Sequence, residues 1–162
     1  MSPHCGGGLV DALGGIVGLP YVDEHTTVVA AEAGAVWSSI GDVLDGSFGG
    51  PRAARYARLV GCADRASSGP RPLAQGSTLP GFRVVSAVPG RELVLCGRHR
   101  FSSYALIFRL EPAGPGRSRL RAETRALFPG LSGALYRRLV IGTGGHAAGM
   151  RRLLSAISRR SV

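Results

Sequence analysis

From Phe82 to Phe128 the chain repeats one pattern in four successive runs. Phe82, Val84, Ser86 and Val88 alternate with Arg83, Val85 and Ala87, and Pro89-Gly90 then makes a tight turn. A second run extends from Glu92 through Phe101. In the third, Tyr104, Leu106, Phe108 and Leu110 alternate with Ser103, Ala105, Ile107 and Arg109. After the Pro112–Gly116 loop, Leu120, Ala122, Thr124, Ala126 and Phe128 alternate with Arg119, Arg121, Glu123 and Arg125. A period of two residues is that of a strand, whose successive side chains leave opposite faces of the sheet. Runs joined by connections this short pair antiparallel, as a meander. One face reads as apolar and the other as Arg-rich, so the sheet covers something on one side only.

The last segment is what it covers. Ser132 is placed to cap a helix running to about Arg160, in which Tyr136, Leu139, Thr143, His146, Met150, Leu153 and Ile157 form one stripe at helical spacing. Val140, Ala147 and Leu154 widen the stripe, and Arg137, Arg138, Arg151, Arg152 and Arg159 occupy the opposite face. Gly142, Gly144, Gly145 and Gly149 each cost about 1 kcal/mol of helicity relative to Ala. They imply close backbone neighbours, a kink or a mobile section. Upstream, residues 1–22 read as a Gly-punctuated leader, His25–Ala31 as a first strand, and Ala33, Val36, Trp37, Ile40 and Leu44 as a helix of about three turns. A second short helix or helix-to-strand passage is expected over residues 51–62, after the Gly49-Gly50-Pro51 break, and a loop over residues 66–76.

A chain of 162 residues, 44% hydrophobic, is long enough for one ordinary domain, here residues 23–162. Every basic residue is Arg, and the net charge is +10. Such a balance favours anionic partners, nucleic acid or a membrane surface, but the arginines are scattered and form no dense cluster. Three cysteines (Cys5, Cys62 and Cys96) without paired spacing point to reduced thiols and a cytoplasmic protein, with neither a disulfide framework nor a zinc site. The apolar stretch Gly6–Pro20 is too short to span a bilayer, so no transmembrane segment is expected.

Three passages carry a family resemblance: His25-Thr-Thr-Val-Val-Ala-Ala-Glu-Ala-Gly-Ala-Val-Trp37, Gly97-Arg-His-Arg-Phe-Ser-Ser-Tyr-Ala-Leu106, and Phe128-Pro-Gly-Leu-Ser-Gly-Ala-Leu-Tyr136 with the helix behind it. Over roughly residues 24–160 the chain resembles the START-like helix-grip superfamily (SRPBCC), which includes the polyketide cyclase/dehydratase and pollen-allergen groups. The last two passages look like those of small bacterial members. The resemblance implies an α+β helix-grip fold: a curved antiparallel sheet of six to seven strands wrapped around a long C-terminal helix, with two short helices after the first strand. It implies a cavity between sheet and helix for a small apolar molecule, lipid or polyketide-like, and no cofactor.

Alternation and the helical stripe place Phe82, Val84, Leu95, His99, Phe101, Tyr104, Leu106, Phe108, Thr124, Tyr136, Leu139, Thr143, His146 and Met150 toward that cavity. His99, Tyr104, Thr124, Thr143 and His146 supply the polar groups that would orient a ligand. His146 and His99 are the candidate acid and base should the protein be an enzyme of cyclase or dehydratase type. The structural alternative for each is a core histidine tied to a neighbouring group. Tyr104 and Tyr136 fit core positions with a polar handle. Cys96 alternates outward beside Arg98. Gly142-Thr-Gly-Gly145 lies inside a helical stripe with no following Lys, so it is not a phosphate loop. No His pair spaced i, i+4 and no Cys-x-x-Cys suggests a metal site. The aspartates all precede the meander and give a Ser-His-Asp triad no support. A basic module for nucleic acid or membrane is the remaining alternative, using the outward arginines.

Overall fold

The computed structural model describes residues 15–16 and 18–162. Strands β1 (Tyr21–Val29), β2 (Thr78–Leu79), β3 (Phe82–Val88), β4 (Glu92–His99), β5 (Ser102–Pro112) and β6 (Ser118–Leu127) form one antiparallel sheet in the order β1-β6-β5-β4-β3-β2. The meander from β3 to β6 follows the alternation that predicts it, and β1 closes the sheet by pairing with β6. Four helices accompany it among the described residues: α1 (Ala33–Phe48), α2 (Pro51–Val60), α3 (Gly130–Arg137) and α4 (Gly145–Ser161).

Helix α1 buries Val36, Ile40 and Leu44 and runs a turn past Leu44, the expected end. Gly46 costs helicity there, but continuing the helix brings Phe48 against Phe82, ring centroids 5.1 Å apart. Pro51 opens α2 at a position where its missing N–H costs nothing, and Gly61, at φ +74°, closes it.

Two bulges change which residues face inward. At Val85 the pairing shifts from Val84↔Leu95 to Ser86↔Val94, so Ala87 packs on the core while Val88 is exposed. A second shift, between Tyr21 and Asp23, sets Asp23 opposite Thr124. Strand β1 therefore begins four residues before His25.

The terminal helix is not continuous. α3 starts behind Pro129, which takes the N-cap position, and Ser132 lies inside the helix without capping it. A π-helical turn, Arg138–Gly142, follows, and Gly144 at φ +76° separates it from α4. Bonding to the fifth residue widens the turn and shifts the helical phase. Val140 and Ile141 turn inward, while Leu139 and Thr143, expected on the buried stripe, are exposed.

The concave core joins Val36, Ile40 and Leu44 of α1 to Leu153, Leu154 and Ile157 of α4 over Leu93, Leu95, Phe108 and Leu120. The convex face is less polar than alternation suggests. Val85, Val94, Cys96, Ala105 and Ile107 form a second apolar cluster with Ile16 and Leu19, and Cys96 is fully buried there. On the β1–β6–β5 side the face is ionic. Glu123 sits between Arg109 (2.7 Å) and Arg125, and Arg121 meets Glu24 and Glu111. Among the described residues, no helix is long and apolar enough to cross a membrane.

Candidate functional site

The concave core fills only one end of the sheet. Toward the end of β4, the start of β5 and the end of β6, the side chains stop meeting α4 and a cavity of about 270 Å³ opens. Its floor is His99, Tyr104, Leu106, Thr124 and Ala126; His146 and Met150 close it from α4. Ala53, Tyr56 and Ala57 of α2, Phe48, Tyr136, Val140 and Ile141 complete the wall. The space exists because the first turns of α4 carry Gly145, Ala147, Ala148 and Gly149, whereas its later turns carry the leucines that pack on Phe108.

Several predicted residues meet here: Phe82, His99, Tyr104, Leu106, Thr124, Tyr136, His146 and Met150 all line the cavity. Val84, Leu95 and Phe108 face the same way but are spent in the packed core. Phe101 stacks on Tyr136 (5.4 Å, 16°) from outside the lining, packed against the Ala57–Val60–Cys62 cluster. Leu139 and Thr143 lie outside the cavity for the reason given above. Sequence reasoning missed Phe48, Tyr56, Cys62 and Asp23. For Tyr56 a signal exists: Ala53, Tyr56, Ala57 and Val60 make an i, i+3, i+4, i+7 stripe on α2. Asp23 had none, because His146 and Thr124, which draw it to the cavity, are more than 100 positions away.

Two polar groups of different character border the apolar wall. At the first, His146 Nε2 lies 3.1 Å from Thr124 Oγ1 and 3.3 Å from Asp23 Oδ1, while Asp23 Oδ2 contacts His25 Nε2 at 3.1 Å. A nucleophile triad needs one imidazole nitrogen on the acid and the other on the hydroxyl. Here one nitrogen meets both, so the cluster is not a triad. With the proton on Nε2, Asp23 and Thr124 both accept from it, which leaves the Thr124 hydroxyl proton to donate to a ligand.

At the second, His99 Nδ1 accepts the Phe101 backbone N–H at 3.1 Å, so the proton of the neutral ring sits on Nε2. Burial pushes the His99 pKa down and favours that neutral form. The ring meets Tyr136 edge-on at 4.9 Å and Tyr104 at 5.4 Å. Tyr104 donates to the Gly81 carbonyl at 2.5 Å, with Cys62 Sγ 3.9 Å from its oxygen; Tyr136 and Tyr56 share a hydrogen bond of 2.5 Å. Burial pushes Tyr104 and Tyr136 far above the ordinary phenol value and raises the Cys62 thiol. They remain protonated and neutral at physiological pH. Among the described residues, no group of three His, Cys, Asp or Glu side chains is arranged to hold a metal ion.

This is the architecture of a helix-grip domain, a sheet folded over a C-terminal helix with an apolar cavity between them. Solved structures share it. Mll3558 from Rhizobium loti is 17% identical, with a TM-score of 0.51 over 85% of this chain and 94% of that one. CV1439 from Chromobacterium violaceum is 11% identical, with a TM-score of 0.53 over the same shares. CalU16 from Micromonospora echinospora is 15% identical, with a TM-score of 0.50 over 83% of this chain and 70% of its own. At such identities the likeness is one of fold. No family model matches the sequence, and no curated protein does.

Proposed function

We propose that this protein binds a small, largely apolar molecule in the cavity, held by one or two oxygen atoms at the polar groups. The observation that carries this reading is an apolar enclosure interrupted only by a few groups able to orient a ligand: Thr124 with His146 on one side, His99 on the other. That combination is typical of small-molecule sites. Size narrows the class. The cavity, about 270 Å³, is under twice the roughly 150 Å³ engineered cavity that accommodates benzene. A molecule of about two fused rings with a hydroxyl or carbonyl fits, and a two-chain lipid does not.

A fluorescence titration with 2-naphthol tests this. Leu106→Trp, which fills the floor, should abolish binding in a folded protein. His146→Ala should weaken it about two- to tenfold, the worth of one hydrogen bond. Equal binding by the wild type and Leu106→Trp would refute the reading.

The contact of His146 with Asp23 favours a second reading, acid–base chemistry on a bound polyketide-like ring. It is separated from simple binding by turnover of such a compound that His146→Gln removes while the compound still binds.

A further inference from the structure

Two groups of arginines contrast in this protein. Arg71, Arg83, Arg109, Arg121 and Arg160 each meet a carboxylate within 3.2 Å. Arg52, Arg55 and Arg58 on α2, and Arg137 and Arg138 where α3 passes into the π turn, are all exposed, and none has an ion pair among the described residues. Neither α2, α3 nor the π turn contains an Asp or Glu. The same elements carry the large exposed leucines. Leu131, Leu135 and Leu139, one turn apart, are 92%, 60% and 62% exposed, and Leu59 on α2 is 75% exposed. The Tyr56–Tyr136 hydrogen bond ties α2 to α3, so the elements that carry these leucines and arginines lie side by side. Its inner side is cavity wall, through Ala57 and Val140.

We propose that the surface formed by α2, α3 and the π turn docks on an anionic lipid bilayer, its leucines entering the interface while its arginines meet headgroup phosphates. Uncompensated cations around solvent-facing leucines are the composition of an interfacial helix, and the absence of carboxylates removes the repulsion an anionic leaflet would otherwise exert. A nucleic acid would use the arginines but leave the leucines in water, which is why the bilayer is the better match. Docking in this orientation sets the α2–α3 wall of the cavity against the membrane, where apolar molecules partition. It goes beyond the proposed ligand binding and does not depend on it, because vesicle binding is read with no ligand present.

Co-sedimentation of the full chain with vesicles provides the test. The protein should pellet with phosphatidylcholine vesicles containing phosphatidylglycerol and stay in solution with phosphatidylcholine alone. Arg137→Gln with Arg138→Gln should weaken binding by about 30-fold, and Leu131→Ser with Leu135→Ser by at least about tenfold. Arg151→Gln with Arg152→Gln, on the outer face of α4, should change it by no more than about threefold. All these side chains are exposed, and circular dichroism is the check that each variant is folded. The proposal is overturned if anionic vesicles are not bound, if both arginine pairs matter equally while the leucine pair does not, or if a single-stranded RNA is bound in preference to vesicles with leucine-insensitive affinity.

Discussion

His99 shows how one backbone contact fixes the chemistry of a side chain. Its Nδ1 accepts from the Phe101 amide in a half-buried setting, and burial lowers its pKa below the ordinary 6.5. The folded protein therefore holds fewer protons on this ring than the unfolded chain once pH falls through 6.5, and stability must decline with further acidification. His99→Asn retains an oxygen to accept the Phe101 amide but cannot titrate. Thermal melts between about pH 7.5 and pH 5 should show a shallower loss of Tm for the variant than for the wild type. Parallel curves would mean that His99 carries no such linkage. Glu123 illustrates the opposite balance. Burial alone would raise its carboxyl, but hydrogen bonds from Arg109 and Arg125 overcome this and hold it below the usual range. This carboxylate supports the sheet above about pH 4.5 and loses its contribution as pH falls below that value.

At the scale of elements, glycines decide where the chain can bend and what can approach it. A Cβ at Gly133 would lie 2.7 Å from the Phe128 carbonyl carbon and 3.1 Å from the Phe101 oxygen, both backbone atoms unable to give way. Gly144 stands in open space, but its φ of +76° is costly for any L-residue. Gly144→Ala should cost about 1 kcal/mol, and Gly133→Ala more, by urea denaturation; a reversed order would place the strain in the turn instead of at the α3 contact. The same residues explain what could be read in advance. The period of two is a local property, so β3–β6 and their antiparallel order were legible, as was the stripe Met150–Leu153–Ile157. The run Gly142–Gly145 carries no signal that separates a loose helix from a π turn closed by a left-handed glycine, and every position from Tyr136 to Thr143 was phased as if the helix ran straight. The bulges at Val22 and Val85 were hidden likewise, since an inserted residue shows only once its partner strand is known. Four of the five floor residues, His99, Tyr104, Leu106 and Thr124, were therefore readable, whereas the seating of α2 against the cavity and the Asp23 contact depended on long-range packing.

For the whole molecule, the division of the concave face is the controlling feature. Leucines in the second half of α4 close one end of the sheet, small residues in the first half leave the other open, and α2, α3 and the π turn enclose that opening. The elements that wall the cavity also present to solvent the exposed leucines and the arginines without an ion pair among the described residues, so the proposed ligand site and the proposed bilayer surface share one set of helices. The central claim, on which the proposed function rests, is that the space holds a ligand. Native mass spectrometry of the protein isolated from its own host, compared with Leu106→Trp isolated in the same way, is the most direct measurement. The account predicts a discrete mass adduct of a small apolar compound on the wild type that is absent from the variant. The bare polypeptide mass for both, or the same adduct on both, would contradict it.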